Sequence, residues 1–209
     1  MQRQMTEEEI IASFDQAIAE GQIYLCYQPQ FNHSTGRLVG AEGLMRWRHP
    51  EFGEQYPSDF IPVMEKHGLI HRADLHAFEL ICQFQSSCPS YSLPISFNVS
   101  RHDLFGHDYV NELEAIRKQY GVPVQYLRAE ITESSAIGGF NLILNAVEEF
   151  HKKGYLVEMD DFGSGYSSLS ILKNLPVDIL NWTCAFCPGA AWAAGAASSS
   201  TRSSRWPNG

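Results

Sequence analysis

Two periods of apolar and polar positions run through the chain. Near the N-terminus Ile10, Ile11, Phe14 and Ile18 recur every three or four residues behind Thr6-Glu-Glu-Glu9. That is a helical stripe opened by a capping-box pattern, and Gly21 is placed to stop it. Short apolar runs follow. IYLCYQPQF (23–31) predicts a strand ending at Pro29, and RLVGAEGLMRW (37–47) a second strand, with NHSTG as a hairpin-like turn between them. YPSDFIP opens a long helical region that reaches about Gln85. LPISFNVS (93–100), YLRAEITES (126–134), the start of YLVEMDDFGSGYSSL (155–169) and VDIL (177–180) predict four more strands. DYVNELEAIRKQYG and FNLILNAVEEFHKKG, closed by Gly121 and Gly154, predict helices between them.

Strands alternating with helices indicate an α/β fold with a mainly parallel sheet. Polar residues close successive strands: Asn98, then Glu130, then Asp160 with Asp161. The intervals, 32 and 30 residues, each fit one βα unit, whereas Glu42 precedes Asn98 by 56 residues and needs a longer connection. Strand ends one unit apart lie side by side on one rim. A TIM-type barrel gathers its ligands there, at the C-terminal ends of parallel strands. A flat doubly wound sheet is the competing topology, but its rim is a line and gathers ligands less well.

Carboxylates joined by an Asn carbonyl make a hard-oxygen site, suited to Mg²⁺ or Mn²⁺. Adjacent aspartates at a strand-to-loop break can serve two ions, one bridging and one holding the second. Two ions about 3.5–4 Å apart are the usual device for hydrolysing phosphodiesters. A single acid at a strand end is more often solvated or a helix cap. The weight rests on four such residues, one per strand. Gln28 and Arg46 suit a phosphate or guanine contact as readily as a surface position. His67 and His71, four apart with Gly68 between them, read as ordinary surface histidines. DFGSGYSS resembles a phosphate-cradling loop but lacks the lysine of a P-loop.

Charge and composition narrow the function classes. A net charge of −9 argues against a nucleic-acid binder. No apolar run is long enough to span a bilayer, and no signal-peptide pattern opens the chain. Five cysteines without framework spacing suit a reducing compartment, which points to the cytoplasm. A lone CxxC, Cys184 to Cys187, lacks the second pair of a zinc site and any thioredoxin-like context. All 24 acidic residues precede position 181, and residues 181–209 contain no Leu, Ile, Val, Met or Lys. Such a segment has little with which to offset its ordering entropy.

Six motifs together carry a resemblance: YQPQF (27–31), GAEGLMRWRHP (40–50), PSDFIPVMEKHGLI (57–70), FNVS (97–100), EITES (130–134) and DDFGSGYSSLSILKNLPVDIL (160–180). In this order the chain resembles the EAL domain family, which hydrolyses cyclic di-GMP. The resemblance spans residues 22 to 180. It implies a modified TIM (β/α)8 barrel, two Mg²⁺ or Mn²⁺ ions, and cleavage of cyclic di-GMP to linear pGpG. By motif, Glu42, Asn98, Glu130 and Asp160 would hold the first metal, with Asp160 bridging and Asp161 helping to hold the second. Glu133 would steady the loop after Asp161, which in the family leads to a homodimer interface. Gln28 and Arg46 would contact substrate. The signature reads Glu-Gly-Leu rather than Glu-Ala-Leu, but its metal ligand Glu42 is retained.

After LPVDIL the family pattern continues Lys-x-Asp, with the lysine positioning the catalytic water. Here the chain reads Asn181-Trp182-Thr183. The genetic code offers a reason. Read one base earlier, the codons for Asn-Trp-Thr become NAA, YTG and GAC, that is Lys, Gln, Glu or stop, then Leu, then Asp. This accommodates Lys-x-Asp. The expectation is an EAL domain over residues 1–180, incomplete after about six strands, followed by an out-of-frame, disordered tail over 181–209. Little or no phosphodiesterase activity is expected of such a chain. A non-catalytic module that binds cyclic di-GMP or a protein partner is the second reading, although retention of the five ligand positions argues against it.

Overall fold

A computed structural model describes residues 3–32, 34–88, 93–104, 108–132, 140–162, 175–182 and 202–205. The chain divides into two compact units. One comprises Met1–Gln28, Gly43–Ser92 and Phe97–Pro123; the other comprises Pro29–Glu42, Leu93–Ser96 and Val124–Gly209.

In the first unit, α1 (Glu7–Ala19) begins at Thr6, whose side chain accepts from Glu9 N while Glu9 reaches back to Thr6 N, so the capping box forms as expected. Its stripe of Ile10, Phe14 and Ala17 is buried with Ile23, Trp47, Phe60, Met64 and Ile70 in one apolar cluster. Trp47 and Phe60 meet edge to face at 5.8 Å. The helical region after Tyr56 is two helices rather than one, α2 (Pro57–Lys66) and α3 (Ile70–Ser87). Gly68 between them has φ +69, a left-handed conformation that ends α2 and redirects the chain. Two short elements carry no periodic signal and escape a sequence reading: β3 (Gly53–Gln55), antiparallel to β2 (Leu38–His49), and α4 (Arg101–Leu104). Helix α5 (Tyr109–Gln119) ends before Gly121, φ +65.

β1 (Ile23–Asn32) and β2 each pass from one unit into the other. Pro29 does not end β1, which continues to Asn32. There Asn32 Oδ1 accepts from the backbone of Ser34 and Thr35, and Gly36 N and Arg37 O bond back to Asn32. These bonds close the turn into β2.

The second unit holds β5 (Leu127–Thr132), α6 (Phe140–Lys153), β6 (Leu156–Phe162), β7 (Ile179–Trp182) and β8 (Arg202–Arg205). β5 and β6 are parallel with Glu130 opposite Glu158 and Thr132 opposite Asp160; β6 and β7 are also parallel. Ile143, Val147 and Phe150 form the buried stripe of α6. Asn181 and Trp182 continue β7, and Arg202–Arg205 pair antiparallel with it. The other residues after Trp182 lie outside the described ones. The order of strands in the sheet is β1-β8-β7-β6-β5-β4-β2-β3, where β4 is Ile95–Asn98, with β1 also pairing β2. All six expected strands are present, β4 shorter than its sequence run.

Candidate active site

The expected ligands fall one per strand: Glu42 on β2, Asn98 ending β4, Glu130 on β5 and Asp160 on β6, four strands consecutive in the sheet. Glu130 is 1% exposed and Glu42 8%, whereas Asp160 is half-buried and Asn98 exposed. Strand register shifts between Met159 and Phe162, a bulge or other irregularity around Asp160 and Asp161. Bulges re-aim side chains and favour functional sites. Gln28 and Arg46 are both half-buried, and Arg46 Nη1 donates to Met45 O at 2.7 Å. The side chain of Asp161, all of Glu133, and the glycine loop after Phe162 lie outside the described residues, as do Cys184 and Cys187.

Side chains two residues apart on a strand share a face. Two positions before Glu42, Asn98, Glu130 and Asp160 stand Gly40, Ser96, Arg128 and Glu158. In the second unit these four build one buried polar layer. Glu158, fully buried, accepts from Arg128 Nη1 at 2.9 Å through one oxygen. Its other oxygen accepts from Ser96 Oγ at 2.7 Å, Gln30 Nε2 at 3.4 Å and Asn181 Nδ2 at 3.5 Å. Arg128 Nη2 also donates to Val39 O at 3.2 Å. Gly40 leaves room for this: a Cβ there would lie 2.8 Å from Pro94 O, 3.1 Å from Gln30 Oε1 and 3.3 Å from Arg128 Nη1. Motif reading missed this layer. The signal was a polar residue (Ser96, Arg128, Glu158) two positions before three of the four expected ligands, where a β-strand buried on both faces ordinarily carries apolar ones.

The charge balance of the second unit suits a bound cation. Glu42, Glu130 and Glu158 are buried, and Arg128 is the only buried cationic side chain among the described residues. Geometry does not complete the case, since no group of three or more His, Cys, Asp or Glu side chains able to hold a metal occurs among the described residues.

Other candidates resolve into structural roles. His67 Nε2 lies 2.5 Å from Glu7 Oε1. His71 is not a plain surface residue: its ring lies 2.6 Å from Asp103 Oδ1 and 3.0 Å from Glu112 Oε2. Burial pushes the Cys82 thiol up to about 12, so it is no nucleophile. No helix among the described residues is long and apolar enough to cross a membrane.

The model of the EAL domain family matches residues 11–189, and the chain belongs to that family. The chain is 32% identical over 173 residues to the cyclic di-GMP phosphodiesterase PA2567 of Pseudomonas aeruginosa, covering 80% of this chain and 29% of that protein. It is 30% identical over 179 residues to the uncharacterized protein Mb1392c of Mycobacterium bovis, covering 84% of this chain and 58% of that one. The chain thus spans well under two thirds of these relatives. Among solved structures it is similar to the PaMucR phosphodiesterase in complex with c-di-GMP (TM-score 0.76, 30% identity, 82% of this chain and 70% of that one). The FimX EAL domain from Pseudomonas aeruginosa, bound to c-di-GMP, shares the fold at 19% identity (TM-score 0.75, 82% of this chain and 70% of that one). The fold is therefore the α/β fold of EAL domains, a modified TIM barrel represented here in part.

Proposed function

We propose that this EAL domain is directed at cyclic di-GMP and derives from a metal-dependent phosphodiesterase that opens it to linear pGpG. The observation that carries the reading is the placing of Glu42, Asn98, Glu130 and Asp160 on four consecutive strands. Their oxygen donors suit Mg²⁺ or Mn²⁺, with Asp161 toward a second ion. Such ions, when bound, supply a hydroxide nucleophile and stabilise charge on the phosphate. Gln28 and Arg46 are assigned to substrate and Glu133 to the loop after Asp161, through which two copies would pair. A cytoplasmic site of action fits the nucleotide and the cysteine usage.

Residue 181 favours a second reading for the chain as it stands. The family's water-positioning lysine is replaced by Asn181, which is fully buried and turned to Glu158. An amide there carries no positive charge for the attacking water or the phosphate. The 209-residue chain is then a binder of cyclic di-GMP with little hydrolysis, and the tail over 181–209 is out-of-frame translation. Calorimetry with cyclic di-GMP, with and without Mn²⁺, tests this. Heat of binding that depends on Mn²⁺ is expected, and no binding under either condition contradicts the assignment. The coding DNA tests the tail: stops in the frame one base earlier would sink the frameshift.

A further inference from the structure

Glu158 is the point at which six strands are tied together. It takes donors from Gln30 on β1, Ser96 on β4, Arg128 on β5 and Asn181 on β7, while sitting on β6 itself. Through Arg128 the tie extends to Val39 O on β2. The layer is fully buried or nearly so, with Arg128 the most exposed at 9%. An ion pair so placed is weak evidence of stabilisation, because desolvation offsets its Coulomb energy. An apolar layer of the same volume would hold the strands together at least as well. Directional bonds do something apolar packing does not: they fix strands axially. Four of the strands fixed here carry Glu42, Asn98, Glu130 and Asp160 two residues further along.

We propose that the Arg128–Glu158 pair, with Gln30 and Ser96, is a positioning layer that sets the axial register of the strands bearing the expected ligands. Gly40 belongs to it as the position that must lack a side chain. Asn181 belongs to it as well, so the layer reaches the strand on which the family carries its catalytic lysine. The link to ligand binding rests on the function proposed above; the register claim does not.

Three versions of the 209-residue chain test it: wild type, Arg128→Lys, and the double variant Arg128→Met with Glu158→Leu. Amide hydrogen exchange without ligand reads the register. The double variant is expected to keep its global unfolding transition but lose about tenfold in protection at Ile131, Thr132, Met159 and Asp160, while Arg128→Lys retains it. Unchanged protection at those amides in the folded double variant overturns the proposal. Should the double variant not fold, Gln30→Leu and Ser96→Ala each remove one donor and are expected to lower protection at the same amides while sparing α6; no effect in either overturns it equally. Calorimetry with cyclic di-GMP and Mn²⁺ then reads the consequence, a loss of tenfold or more in affinity in the double variant, rescued by Arg128→Lys. A double variant that binds as tightly as wild type overturns the positioning role. If wild type does not bind either, the functional reading fails while the exchange result still decides the register.

Discussion

Gly40 shows how one small residue bears on the candidate site. Its missing side chain is the space through which Pro94 O, Gln30 and Arg128 approach one another. A methyl group 2.8 Å from a backbone oxygen cannot be absorbed by a side-chain rotation. Gly40→Ala is expected to cost about 1–3 kcal/mol, read as a lowered denaturant midpoint with an unchanged slope. Asp74 gives a second test. Its carboxyl is held well above the ordinary carboxylate range, first by burial and then by its hydrogen bond and charge contact with Asp103; bonds from Ser100 pull the other way. A raised carboxyl contributes its full stability below its unfolded value and loses it as pH climbs toward the folded one. Stability is therefore expected to fall as pH rises above the usual Asp range, near 3.8. Asp74→Asn removes that loss. Equal pH slopes in the two chains, from unfolding midpoints measured across pH, would contradict this.

Among the elements, helices with a complete stop and start were legible in the sequence. α1 declared itself through Thr6, Glu9, its apolar stripe and Gly21, and Thr6→Ala is expected to cost about 1 kcal/mol in unfolding free energy through loss of the cap. The helical region was expected to run on to about Gln85 because the apolar pattern continues through Gly68; the loop-like context of that glycine was visible, and its positive φ shows that it divides α2 from α3. β3 was missed because three residues hold no period, and its pairing with β2 is a tertiary fact. Asn98, Glu130 and Asp160 were legible because an acid or amide near the close of an apolar run stands out, whereas Glu42 lies inside β2. The polar layer beneath them was not, since Arg128, Glu158 and Ser96 are partners only once strands are in register. Likewise Asp74 and Asp103, 29 residues apart, gave no sign of sharing a buried site.

At the scale of the whole molecule, the chain belongs to the EAL domain family; the four strands expected to bear ligands are among the described elements, and β7 carries Asn181 where the resemblance implies lysine. If that lysine acts on the attacking water as a proton-transfer group does, its loss is expected to cost on the order of 10²–10⁴ in rate. The most direct test compares two proteins under one assay: the 209-residue chain, and the same gene read one base earlier from codon 181. Each is incubated with cyclic di-GMP and Mn²⁺, and the formation of pGpG is followed by chromatography. The reframed protein is expected to convert the substrate, and the 209-residue chain to do so at least about 10²-fold more slowly. Equal conversion by both, or none by the reframed protein, would contradict it.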